Sequence, residues 1–383
     1  MTNGNKAYFI ETLRCALTGE QLCPPFDGSS FSELYALAKR QNLEAALSEA
    51  LLTLSNIPPK RKAELEQNRL RAIHRYALLS TECESIQRGA KERGIRCMAQ
   101  KGAVICKLYK KPHIRSMSDL DFLMDETALD SVTELMTSLG YVLEGTHERN
   151  HLNFSKTPDI QVEFHEKLLP YTVNDPYYSD PWTGTHVDDN GFTTMSDEQF
   201  YIYMILHAMQ HFTLAGMGAR FVMDAWVYLG AYGESMDMKL VHNELVRAGA
   251  ADFEKGLTEL CKVWFSGAEE TALTKRMTDY VLEGGIYGAA VNREAAKVGQ
   301  NGKAGHVLRT LFEPASAMKM LYPRLEKYPY LLPFYYPHRI CVKIKNNRSQ
   351  IGKRLNALRK ADSVRVEEQK AMYRELGVDD KLR

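Results

Sequence analysis

No stretch of this 383-residue chain approaches the roughly eighteen consecutive apolar residues that a membrane helix requires. A spanning segment is therefore not expected. The start, MTNGNKAYFIETLRCALTGE, has no basic opening followed by an unbroken apolar run, so it does not read as a secretory leader. Cysteine is sparse: Cys15, Cys23, Cys83, Cys97, Cys106, Cys261 and Cys341 are odd in number, and no two have the spacing of zinc or redox motifs. Buried free thiols in a reducing cytoplasm are the expectation. Neither sign of charge is in excess, with 49 basic against 48 acidic residues, so no global field draws the chain to nucleic acid or membrane. Any such signal has to be local. No internal repeat is present.

What is there is an ordinary globular composition, 44% apolar and 25% charged. The length exceeds what one core of usual size holds, so several subdomains are expected. The fold class read from the pattern is α+β: a small mixed sheet flanked by helical regions, mainly helical overall. Residues 1–90 read as an N-terminal helical region. Within it, Pro58 and Pro59 break the chain before a long helix from about Lys60 to Gly94. Leu70, Ile73 and Ala77, then Cys83, Ile86 and Ala90, form one apolar stripe on that helix, which wants a partner surface.

Residues 91–170 change grammar. Strand candidates at Ile95 to Ala99, Leu120 to Met124, Tyr141 to Glu144, Leu152 to Phe154 and Ile160 to Glu166 alternate with helical segments at Gly102 to Tyr109 and Leu129 to Leu139. Helices are expected on one face of the resulting sheet, and the C-terminal helical region is expected to close over the cleft where the carboxylate face meets the helix at 196–213. Residues 171–195 read as an irregular linker. Residues 196–383 read as a C-terminal helical region that begins with a Ser196 cap and Gln199 at its third position.

Asp119 and Asp121 stand two apart, so on a strand both carboxylates share a face while Leu120 and Phe122 point into the core. Such a pair repels unless a cation lies between its members. Glu163, between Val162 and Phe164, alternates in the same way, and His165 shares its face. Three carboxylates from neighbouring strands would suit magnesium or manganese. Upstream, Gly102 follows a strand and opens a helix, a place where backbone N–H groups favour phosphate, with Lys101 beside it. Arg115, four residues before Asp119, could grip a phosphate oxygen.

Taken together, Lys101-Gly102, Asp119-Leu120-Asp121-Phe122 and Val162-Glu163-Phe164 resemble the polymerase-beta-like nucleotidyltransferase superfamily. Within it they are similar to a bacterial group labelled uncharacterised nucleotidyltransferase. That group's helical half also resembles His207, His211, Arg220 and Asp224 here. Lys101 where the motif has a second small residue, and glutamate at 163 where aspartate is common, are departures.

The resemblance implies transfer of a nucleotidyl group from a nucleoside triphosphate such as ATP, with pyrophosphate released and two Mg2+ or Mn2+ ions involved. One ion would be held by Asp119 and Asp121, the other shared with Glu163. Lys101, Gly102, Arg115 and Ser118 would bind the nucleotide, and His165, His207, His211 and Arg220 would line the substrate side. The acceptor stays open: a small molecule, an RNA end or a protein side chain. A toxin-type transferase acting on RNA or protein, and a non-catalytic nucleotide-binding scaffold, are the alternatives.

His207 and His211 also have zinc spacing, but Ala208 stands where a zinc hydrolase would carry glutamate. Arg220 and Asp224, four apart, read as a local ion pair. The stretch 338–360 holds eight lysines and arginines and no acidic residue, either a solvated helix or an RNA contact.

Overall fold

In the computed structural model the described residues are 3–23, 31–144, 151–169, 180–214, 216–285, 312, 314–346 and 363–378. Helices α1 (Asn3–Thr18), α2 (Phe31–Gln41) and α3 (Glu44–Leu51) precede the 34-residue α4 (Pro59–Glu92). At 1.5 Å per residue α4 is about 50 Å long, enough to serve two cores. Near its start Leu65 joins the larger, helical core; toward its end Leu79, Cys83, Ile86 and Ala90 pack on the sheet. The middle of the expected stripe finds no such cover, with Leu70 62% and Ile73 41% exposed and Ala77 exposed. A single stripe drawn along the helix breaks where it passes from one core to the other.

The sheet is mixed, in the order β1-β2-β5-β4-β3: β1 (Cys97–Ala99), β2 (Leu120–Met124), β3 (Val142–Leu143), β4 (His151–Lys156) and β5 (Ile160–His165). β2 and β5 run parallel and the other pairs antiparallel. Helix α5 (Gly102–Ile105) follows β1, and α6 (Leu129–Ser138) follows β2. Alternation along the strands sends Leu120, Phe122 and Met124 with Ile160, Val162 and Phe164 to one face, under α4 and α6. Phe122 stacks on Phe164 at 5.1 Å across the parallel pair.

The core's own helices were expected on one face, and the C-terminal helical region over the cleft on the other. Met98 and Leu123 join the helical core, so that opposite face is covered as well. That second face carries Asp121, Glu163 and His165. Asp121 is thus buried between sheet and helices, whereas the Glu163 side chain keeps about a third of its surface, 37%, open to solvent.

Residues 171–195 contain more than an irregular connection: β6 (Thr185–Val187) and β7 (Thr193–Met195) pair as an antiparallel hairpin. Then come α7 (Asp197–Leu214), α8 (Ala219–Tyr232), α9 (Met238–Arg247), α10 (Ala251–Phe265), α11 (Ala272–Gly284), α12 (Ala315–Leu321), α13 (Arg324–Lys327), α14 (Leu332–Asn346) and α15 (Ser363–Glu375). The Ser196 hydroxyl caps α7 by accepting from Gln199 N at 3.3 Å, whereas the Gln199 side chain donates to Thr183 O on the hairpin side. α7 is apolar nearly all round and buried accordingly, and one core joins it to α1–α3 and α8–α11. No helix among the described residues is long and apolar enough to cross a membrane.

Candidate active site

Parallel pairing of β2 with β5 puts Asp121 directly beside Glu163. Asp121 Oδ1 accepts from Lys101 Nζ at 2.5 Å and lies 3.0 Å from His165 Nε2, which is in turn 3.5 Å from Glu163 Oε2. Asp121, Glu163 and His165 each turn one ligand atom into a space where all three lie within 4.8 Å, the one such group of three found among the described residues. Two carboxylates and one imidazole form a set suited to magnesium or manganese, the nitrogen favouring the latter. The sequence placed His165 on the substrate side; its ring is turned to the carboxylates.

Asp119 sits one residue before β2, outside that group of three but on the same cavity as Asp121, Lys101, His207 and Arg220. The enclosed space is about 60 Å³, room for ions and phosphate oxygens and not for a whole nucleotide. Burial, then the charges of Asp121 and Glu163, raise the Asp119 carboxyl above its usual range. Burial acts on Asp121 in the same direction, but Lys101 and His165 outweigh it and hold that carboxyl well below. The Lys101 ammonium is held up correspondingly: burial would lower it, and Tyr203, Asp121 and Asp119 more than offset that. Lys101 adopts φ 47, a left-handed conformation that a residue with a Cβ enters only under strain, which here accompanies delivery of its ammonium to Asp121.

Arg115 does not stand free for phosphate. Its guanidinium is buried and makes a two-pronged bond to Asp224, Nε to Oδ1 at 3.2 Å and Nη2 to Oδ2 at 2.8 Å, and Tyr109 OH donates to Oδ1 at 2.6 Å. The expected Arg220–Asp224 pair is therefore not formed. Arg220 instead donates to Ser116 O at 3.2 Å, and among the described residues no carboxylate lies within ion-pair distance of it. Burial and the neighbouring Arg115 pull the Arg220 guanidinium down to about 10, against the opposing charges of Asp224 and Asp119.

The reason for Gly102 also changes. A Cβ there would come within 2.6 Å of Arg115 Nη1, so the glycine makes room for a buried arginine. The helix it opens is four residues long and brings little dipole to bear on a phosphate. Ser118 lines not the acid cavity but the adjoining cleft beside α4, and its carbonyl accepts from Arg75 Nη2 at 2.6 Å.

His207 and His211 are a bonded pair, Nε2 to Nε2 at 3.1 Å, packed against Phe221 at 5.6 and 5.2 Å. Burial, then Lys101, drives both below the ordinary imidazole value, His211 to about 4, so both rings are neutral and one donates to the other. His207 lines the acid cavity; His211 stands behind it. Of the stretch 338–360, residues 347–360 lie outside the described residues, and Arg339 on α14 is 3% exposed and not part of a solvated face.

Sequence reasoning had no access to the Arg115–Asp224–Tyr109 cluster or to the Lys101–Asp121 pair. The first joins residues 109 and 115 positions apart; the second depends on an unusual φ.

A family model described as uncharacterised nucleotidyltransferase matches residues 27–266, a span that runs from before α2 to the end of α10. No curated protein matches the chain, and no solved structure does.

Proposed function

From the premise that this chain belongs to the uncharacterised nucleotidyltransferase family, we propose that it moves a nucleoside monophosphate group from a nucleoside triphosphate to an acceptor hydroxyl and releases pyrophosphate. Residues 91–170 are the catalytic core in this reading, and α7 and α8 close the cavity. The observation that carries it is the register that sets Asp121 beside Glu163 on the covered face of the sheet, with Asp119 and Arg220 on the same cavity.

Asp121, Glu163 and His165 would hold a divalent cation, and Asp119 a second shared with Asp121; Mg2+ or Mn2+ fits this donor set. Bound there, such ions neutralise triphosphate charge and lower the proton affinity of the attacking hydroxyl. The protein's own part is to position and to balance charge. Arg220 meets phosphate oxygens in the role the sequence suggested for Arg115. Lys101 adds a cation beside the carboxylates, and neutral His207 lines the acceptor side without adding charge.

The test is to incubate the chain with each triphosphate in turn, with Mg2+ or Mn2+ and pooled acceptors, and to follow pyrophosphate. Release that requires the metal and disappears in Asp121→Asn supports the reading. Equal release by the variant would contradict it.

A further inference from the structure

Two cavities outside the acid site adjoin along α4, sharing Tyr76, Leu79 and Met117 in their walls. They measure about 640 and 420 Å³, against 60 Å³ for the acid cavity. From Arg71 to Lys91 the shared wall follows α4 for about 30 Å. Six cations line the pair of cavities: Arg71, Arg75 and Arg115 at one end, the last already paired with Asp224, and Arg88, Lys91 and Lys107 at the other. Two carboxylates accompany them, Asp159 and Glu84, the latter bonded to Arg88 at 2.6 Å. In a chain whose net charge is only +1, this is a local excess of positive charge.

Arg71 and Lys107 are exposed, and neither side chain has a hydrogen bond or ion pair among the described residues. Arg75 donates to Asp159 O and Ser118 O at 2.7 and 2.6 Å, which anchors it without neutralising it. Tyr76 and Phe192 supply half-buried rings on the walls. The end with Arg71 also contains Ser118, the residue before Asp119, and shares Arg115 with the acid cavity.

A basic groove with interspersed aromatic rings has the chemistry of a single-strand track: cations follow phosphates and rings stack bases. We propose that this groove binds a single-stranded polynucleotide and brings its end to the acid site as the acceptor. The acceptor role rests on the nucleotidyl transfer proposed above, whereas binding in the groove does not. An acidic protein partner would use the cations and leave the rings without a purpose.

The experiment is fluorescence anisotropy with labelled RNA and DNA oligomers of roughly ten nucleotides, within the site sizes of such tracks. It uses the full chain carrying Asp121→Asn, so that loss of transfer and loss of binding are read separately. Binding should weaken as salt rises. Arg71→Glu with Lys107→Glu, both exposed, should weaken it at least tenfold and flatten the salt dependence. Phe192→Ala should weaken it several-fold with the salt dependence unchanged. RNA bound more tightly than DNA identifies an RNA acceptor, and the reverse a DNA one. No binding of either oligomer, unchanged affinity in the charge-reversed variant while circular dichroism shows it folded, or equal competition by polyglutamate would each overturn the proposal.

Discussion

Asp121 Oδ1 is met from two directions, by Lys101 and by His165, and on Asp121 burial and neighbouring charge act in opposite directions. The two arginines near it are easily confused in a sequence and behave oppositely in the fold. Arg115 is a structural cation: Arg115→Ala would leave Asp224 buried without its counter-ion, and a loss of about 3–5 kcal/mol in stability is expected. Arg220 has no carboxylate to abandon. Arg220→Ala should leave stability within about 1 kcal/mol while reducing transfer by on the order of a hundredfold, in line with loss of a charged transition-state contact. Denaturant midpoints and initial rates on the two variants test this together, and the reverse pattern would exchange the roles. Gly102→Ala should resemble a milder Arg115 variant, because its methyl group would displace that guanidinium.

Helix α7 shows how one element can be legible in outline and opaque in detail. Its cap and its apolar sequence are readable, but nothing in HAMQH says that the rings bond to each other or that burial keeps them neutral. The consequence is a pH dependence. His211 is held at about 4 against an ordinary 6.5, so as pH falls the unfolded chain takes up the proton first. Its contribution to stability is complete above about pH 6.5 and is lost progressively down to about pH 4, at up to ~1.4 kcal/mol per pH unit. In His211→Gln the loss of stability between those limits should be shallower by one proton. Identical slopes in thermal or chemical melts would show that His211 is protonated in the folded chain. Helix α4 offers the converse case: its stripe reads as continuous, but Leu70 and Ile73 are exposed because the helix crosses from one core to the other.

For the molecule as a whole, legibility followed range in sequence. Leu120–Met124 was read at its true bounds because LDFLM is a short apolar run around an acidic position, and Gly140 marks the end of α6 by local chemistry. The pairing of Asp121 with Glu163 could be anticipated because both segments alternate in phase. Three features required the assembled fold. α1–α3 share one core with α7–α11, α4 serves both cores, and a hairpin lies where the composition suggested only a linker. Each depends on contacts between residues far apart in the chain, which periodicity cannot report. The acid site lies at the junction those contacts create, where β2 and β5 meet α7 and α8. Its chemistry is accordingly a property of the whole packing and not of the DxD segment alone.

The central claim is that this junction transfers the nucleotidyl group and not a terminal phosphate. Supplying the chain with a triphosphate labelled at the α-phosphorus, and in parallel with one labelled at the γ-phosphorus, separates the two directly. The α-label should become covalently attached to the acceptor, the γ-label should leave entirely as pyrophosphate, and Asp121→Asn should do neither. Transfer of γ-label to the acceptor, or undiminished α-label transfer by Asp121→Asn, would contradict it.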